Sequence, residues 1–343
     1  MRMLRSVGDL RVALAPDRRA GRSIGLVPTM GALHEGHLSL VRRAREQCDR
    51  VVVSLFVNPS QFDERADLDR YPRREREDAA LAAGAGADLL FAPSIEEVYP
   101  PGFATSVEVL GVTDRLEGEI RGVEHFRGVS TVVTKLLCMT RPDVAYFGAK
   151  DAQQLVVIRR LVADLNLPVR VEVCPTVREP DGLAMSSRNA LLDPDERARA
   201  LALGAALRAA GELAASGERS ADALLGAAAD AMSQFGVEPE YLAIVDPDTF
   251  DPRDRLDEPA LLVLAARVGA IRLIDNVMLT PAAVRAADDA PAAETEPAAA
   301  IAAETRTPVV PASPVARTTV VTDSSPSTPA SHQPQGEPTI CSA

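Results

Sequence analysis

The stretch that most constrains this chain runs from Ile24 to Leu38, IGLVPTMGALHEGHL. The apolar run Ile24–Val27 predicts a buried strand, and Pro28, with no N–H for a ladder, predicts its end. A glycine-bearing loop follows. Leu38, Val41, Ala44 and Cys48, at i, i+3 and i+4 spacings, predict a helix opening near His37. The first N–H groups of a helix have no internal partner and carry roughly half a positive charge, so phosphate sits well there. Gly31 and Gly36 leave the backbone open to close approach. His34 and His37, two of only four histidines, are three residues apart and can face the same way. Either ring can donate a hydrogen bond, or carry charge where an anionic phosphate raises its pKa.

Three plainer readings compete. A histidine at a helix start can simply cap or pack. Zinc is disfavoured, because the pair is not at i, i+4 and no third ligand stands nearby. A dinucleotide fingerprint is disfavoured by the glycine spacing.

The remaining chain alternates strand and helix patterns. Residues 1–22 are mixed and charged and predict one short helix before the first strand. Arg50–Val57 is β-branched and nearly continuous, as a strand covered on both faces should be. It runs into Asn58-Pro59-Ser60-Gln61-Phe62, placing Asn58 and Gln61 at the carboxyl end of a strand, where open parallel sheets bind ligands. A polar helix at 74–83 and strands at 88–92 and 105–112 follow, then a helix through Met139. The strand 143–147 leads into Gly148-Ala149-Lys150-Asp151-Ala152-Gln153-Gln154, a second strand end, glycine and helix start. Lys150 can set an ammonium against phosphate, and Asp151 can accept from ribose hydroxyls; alone, they also suit a surface pair and a cap. A strand at 169–173 precedes Met185-Ser186-Ser187-Arg188, whose hydroxyls and guanidinium suit a triphosphate or a capping run before the helix at Asp193. Two Ala- and Leu-rich helices at 194–235 and strands at 241–245, 261–266 and 271–277 complete the pattern.

At 343 residues the chain has room for two domains. A net charge of −12 argues against non-specific nucleic-acid binding. No apolar run approaches the ~18 residues of a membrane span, and charges interrupt any signal-peptide core. Cys48, Cys138, Cys174 and Cys341 have neither metal nor redox spacing, which suits a reducing cytoplasm. Residues 281–343, rich in Ala, Pro, Thr and Ser and without Phe, Tyr or Trp, predict a disordered tail.

Pro28–His37, PTMGALHEGH, resembles the nucleotide-binding signature of the pantoate–β-alanine ligase family, adenylate-forming nucleotidyltransferases with a His-x-Gly-His motif. Asn-Pro-x-Gln-Phe at 58–62, Asp67–Arg73, Gly-x-Lys-Asp-x-Gln-Gln at 148–154 and Met-Ser-Ser-Arg at 185–188 extend it in order, with Ser60 and Ala152 departing mildly. The resemblance implies a Rossmann-like parallel-sheet domain over 1–175 and a smaller C-terminal α/β domain over 176–280 closing on the site. It stops near residue 280, before the tail. It implies ATP contacts from Met30, Gly31, Ala32, Leu33, His34, Glu35, Gly36, His37, Gly148, Ala149, Lys150, Asp151, Val177, Met185, Ser186, Ser187 and Arg188. His37, His34 and Lys150 would be catalytic, Gln61, Gln154 and Asn58 would hold pantoate and β-alanine, and Asp78 would help hold Mg2+. A homodimer is implied as well. A related nucleotidyltransferase or a nucleotide sensor would share the first motif but would have no need of both Gln61 and Gln154.

Overall fold

The computed structural model describes residues 1–62, 68–69 and 71–282. The tail expectation, Cys341, and Asp67 and Arg70 of the Asp67–Arg73 match lie outside the described residues. Six strands among the described residues form a parallel sheet: β1 (Arg2–Leu4), β2 (Ile24–Thr29), β3 (Arg50–Leu55), β4 (Leu89–Phe91), β5 (Val144–Gly148) and β6 (Arg170–Cys174). Their spatial order is β1-β4-β3-β2-β5-β6. Successive side chains of a strand face opposite sides, and both sides are covered. Leu26 and Val52 join Leu10 and Leu14 of α1 (Val7–Arg19) and Val132 and Leu136 of a long helix, Val123–Thr140. Val27, Val51 and Val53 join Leu40, Val41 and Ala44 of α2 (Glu35–Gln47) and Ala82 of α3 (Glu75–Gly84). Two short helices, α4 (Ile95–Val98) and α5 (Glu117–Arg121), precede that long helix, α6; α7 (Ala152–Asp164) follows β5.

The strand order reverses between β2 and β5, since the chain leaves β2 towards β3 on one side and returns to β5 on the other. Ligands of open parallel sheets bind at the carboxyl ends on either side of such a switch. The two predicted nucleotide loops leave these two strands, after Thr29 and after Gly148.

Three expectations change, and the direction of the smaller sheet is added. Strand β2 does not stop at Pro28 but runs to Thr29. The carbonyl of Ile24 accepts from Asp143 on the β5 side and that of Thr29 from Phe56 on the β3 side, so by alternation Pro28 faces β5. Pairing with β5 ends at Leu26, and the missing N–H breaks no ladder bond. The N-terminal segment is not helix alone: Arg2–Leu4 pairs with β4 as an edge strand too short to carry an alternating pattern. Residues 105–112 form no strand. Val109 and Val112, which alternation would put on opposite faces, are both buried, the Val107 N–H donates to Thr131 Oγ1, and Gly111 takes a left-handed conformation, φ +81°. The smaller sheet is antiparallel, β7 (Pro239–Val245), β8 (Ala260–Val268) and β9 (Ile271–Leu279), with β8 central.

One face of that sheet packs on α8 (Pro194–Ala215) and α9 (Ala221–Ser233). From its other face Val245, Leu261 and Val263 pack against Val156, Val157 and Leu161 of α7. Burial on two sides is why β8 reads as an almost unbroken apolar run. Polar ties reinforce the junction. The Arg272 guanidinium donates to both oxygens of Glu117 at 2.8 Å, and the Tyr241 hydroxyl donates to Glu117 Oε1 at 2.8 Å. Burial alone would raise the Glu117 carboxyl, but Arg272 and Tyr241 hold it below its ordinary range.

Gly128 of α6 lies against the turn that carries Gln61. A Cβ there would stand 2.2 Å from the Ser60 carbonyl oxygen. Gly→Ala inside a helix ordinarily stabilises by roughly 1 kcal/mol, but here the opposing atom is backbone. Gly128→Ala should therefore destabilise the chain by about 1–3 kcal/mol, read from the denaturant midpoint; an unchanged or raised midpoint would refute the packing argument.

Candidate functional site

Helix α2 begins with His34 as its N-cap, in extended backbone, and His37 at the third helical position. The ring centroids are 4.1 Å apart and tilted by 41°. The His34 backbone N–H donates to His37 Nδ1 at 3.4 Å, which makes Nδ1 the acceptor and leaves the proton on Nε2. Gly36 is required for this stacking, since a Cβ would lie 2.9 Å from His34 Cε1. His34 Nδ1 is buried without a hydrogen-bond partner. Burial, reinforced by the Lys150 ammonium, pulls the His34 pKa down to about 4. Burial, then His34 and Lys150, pulls His37 down to about 3. Without ligand, both rings are neutral at pH 7, and His37 offers a neutral Nε2–H rather than a transferable charge.

The loop ahead of the helix is strained and held. Gly31 has φ +95° and Ala32 φ +51°. A Cβ on Gly31 would meet Leu55 Cδ1 at 2.8 Å and Asp78 Oδ2 at 3.0 Å. Asp78 of α3, 2% exposed, accepts the Ala32 N–H on Oδ2 at 3.0 Å and the Leu33 N–H on Oδ1 at 2.7 Å. Ser187 donates its hydroxyl to the Ala32 carbonyl at 3.1 Å. Each Asp78 oxygen thus takes one loop amide, which makes Asp78 the anchor of the loop. Among the described residues no three His, Cys, Asp or Glu side chains gather to hold a metal ion.

A cleft of about 530 Å³ opens over the switch point. Met30, His34, Gly36, His37, Gln61, Gly148, Lys150, Asp151, Gln154, Val177, Met185, Ser186, Ser187 and Arg188 all line it, so the separated motifs converge. Gly31, Ala32, Leu33, Glu35 and Ala149 belong to the loops and helix start behind this wall. Asn58 is 1% exposed and organises the turn. Its Nδ2 donates to Gln61 Oε1 at 3.0 Å and to the Gly128 carbonyl at 3.2 Å, while its Oδ1 accepts from Tyr99 at 2.8 Å. It positions Gln61 rather than presenting itself to the cleft. Both adjacent glutamines of α7 line the cleft, but buried Gln153 is committed to the protein, its Nε2 donating to the Val112 and Arg115 carbonyls.

Further residues outside the candidate set also line the cleft. His125 donates from Nδ1 to the Gln61 carbonyl at 2.8 Å, supporting the turn from α6. Tyr71 lines the cleft and stacks edge-on to Phe62 at 5.7 Å. Glu117, Tyr241, Arg272 and Asn276 reach the cleft from the junction of the sheets. Only the tertiary packing brings them there, more than 100 residues separating Glu117 from the other three.

Comparison with known proteins agrees with this geometry. A family model described as pantoate-beta-alanine ligase matches residues 2–278. The chain is 54% identical over 275 residues to the pantothenate synthetase of Cereibacter sphaeroides, covering 80% of this chain and 98% of the relative. It is 52% identical over 285 residues to that of Rhizorhabdus wittichii, covering 82% and 100%. The crystal structure of pantothenate synthetase from Thermus thermophilus superposes with a TM-score of 0.78 at 47% identity, covering 82% of this chain and all of that one. A pantoate-beta-alanine ligase from Francisella tularensis, complexed with beta-gamma ATP and beta-alanine, gives 0.68 at 33% identity, covering 81% and 97%. With its motifs meeting at the switch point of a Rossmann-like sheet and its likeness extending over four-fifths of its length, the chain belongs to the pantoate–β-alanine ligase family.

Proposed function

We propose that this ligase joins pantoate to β-alanine in two half-reactions within the one cleft. The pantoate carboxylate attacks the α-phosphorus of ATP and pyrophosphate leaves, giving pantoyl adenylate. The β-alanine amine then attacks the acyl carbon, loses a proton and expels AMP. The observation that carries this reading is the convergence of the His34/His37 helix start, the Lys150 loop and the 185–188 segment on a single cavity.

Each residue has a definite task. The first step accumulates charge on pyrophosphate, and fixed donors that meet such charge are often the largest catalytic contribution. The start of α2, the neutral Nε2–H of His37, His34, Lys150, Ser186, Ser187 and Arg188 supply those donors. The backbone around Gly148–Asp151, Val177 and Met185 holds the nucleoside. Gln61 and Gln154, uncharged donors and acceptors, align pantoate; Asn58 and His125 hold Gln61 in place. Positioning of this kind can lower a barrier by ~7–11 kcal/mol. Mg2+ enters as part of the ATP substrate, since it usually stays on phosphates and waters rather than in an all-protein cage. A site divided between an N-terminal portion, 1–175, and a C-terminal portion, 176–280, can exclude water as it closes.

The homodimer follows from the family resemblance alone. No helix among the described residues is long and apolar enough to cross a membrane. Cys48, Cys138 and Cys174 are free thiols, which suits a reducing cytoplasm.

The test is pyrophosphate release from ATP, Mg2+ and pantoate, with and without β-alanine. Formation of adenylate without β-alanine and turnover with it are expected; pyrophosphate release that ignores pantoate would point to another nucleotidyltransferase, and none at all to a sensor. His37→Ala should remain folded, bind pantoate and form adenylate at least ~100-fold more slowly; near-parental adenylation would refute its role. In an NMR titration of the unliganded protein, the His34 and His37 rings should stay neutral from pH 8 down to pH 5. A midpoint near 6.5 would refute the neutral-donor assignment. Because the unfolded chain protonates both rings below about 6.5 while the folded one does not until about 4 and 3, their contribution to stability should fall as the pH drops through that window.

A further inference from the structure

Strand β9 touches three separate parts of the cleft from behind. Arg272 is bound to Glu117, whose backbone N–H donates to Gln153, the neighbour of Gln154. Asp275, 2% exposed, accepts both arms of Arg178 at 2.7 and 3.0 Å, one residue after Val177. The Asn276 carboxamide donates from Nδ2 to the Ala149 carbonyl at 3.0 Å and to the Lys150 carbonyl at 2.9 Å. The third contact is the informative one. A trans peptide points its C=O and the following N–H in opposite directions. Holding the carbonyls of Ala149 and Lys150 on β9 therefore fixes the N–H vectors of Lys150 and Asp151 away from it, at the point where α7 begins. It also ties down two oxygens that would repel an anionic ligand. The opposite side of the loop is fixed by the Ala149 N–H, which donates to the Cys174 carbonyl at 2.8 Å.

We propose that Asn276 is a positioning residue for nucleotide binding: from the antiparallel sheet it braces the peptides on either side of Lys150, so that the lysine is presented correctly only while that sheet is docked. This rests on the assignment of Lys150 to the triphosphate. An amide is needed because one nitrogen must serve two carbonyls. Aspartate, of the same shape, would place carboxylate oxygen against both of them.

The test uses steady-state pyrophosphate release by the full chain, Asn276→Ala, Asn276→Asp, Lys150→Ala and the Asn276→Ala/Lys150→Ala double variant, with a melting curve for each. Asn276→Ala should lower kcat/KM for ATP about tenfold, the equivalent of one or two lost hydrogen bonds. Asn276→Asp should lower it further, with the KM for pantoate within twofold of the parent. A general loss of structure would move both substrates together. The double variant should be no slower than Lys150→Ala alone, because the brace acts through the lysine. An equal further loss in that background would overturn the proposal, and so would parental kinetics in both Asn276 variants, which would leave the Lys150 assignment standing. Parental kinetics in Lys150→Ala would instead remove that assignment and the proposal with it. Should Asn276→Ala melt below the assay temperature, the isosteric Asn276→Asp decides by the same criteria.

Discussion

A carboxylate closed off from solvent and two amide hydrogens organise the centre of this protein. Asp78 sits on a helix more than forty residues beyond the loop it grips, yet its two oxygens take the N–H groups of Ala32 and Leu33. That grip allows Ala32 to remain left-handed, a conformation that is uncommon and costly for a residue with a side chain. Once the loop is fixed, His34 falls at the N-cap, His37 stacks on it, and the helix start faces the switch point. A buried charge without partners would be far more costly than the strain it relieves; here every oxygen has a donor, so the arrangement is stable as a unit.

The second constraint is the double burial of the antiparallel sheet. Its outer helices give it a core, and its inner face lies against α7, the helix that carries Gln154 and begins at the Lys150 loop. The Arg272–Glu117 pair crosses the same junction. Charge pairs this buried gain little net stability over apolar packing, but removing one partner is strongly destabilising. They therefore specify how the sheets meet more than they strengthen the meeting. The cleft inherits its shape from that specification, because its walls come from both sheets.

Much of this was legible before any coordinates. The strand–loop–helix at 24–38, its echo at 143–154 and the motif at 185–188 carry their chemistry in local spacing, and they do meet in one cavity. What was illegible depended on partners distant in sequence. Pro28 belongs to a strand because β5 has already left its side. Arg2–Leu4 is a strand because β4 offers an edge. Residues 105–112 alternate like a strand but have no neighbouring strand to pair with among the described residues. Asn58 and Asp78 look like ligands from their position and residue type, whereas the loop amides that Asp78 accepts and the turn groups that Asn58 binds follow from no local pattern. His125 and Asn276 announce themselves by no motif, since the groups they hold are backbone carbonyls elsewhere in the chain.

The order of β9 in the chain has a consequence for biosynthesis. It follows every other described strand and long helix, so a ribosome delivers it after them. Until Asp275 and Asn276 emerge, Arg178 lacks its counter-ion and the peptides flanking Lys150 lack their donor. A nascent chain that already contains the signature motifs thus still lacks the strand that supplies these contacts to its cleft.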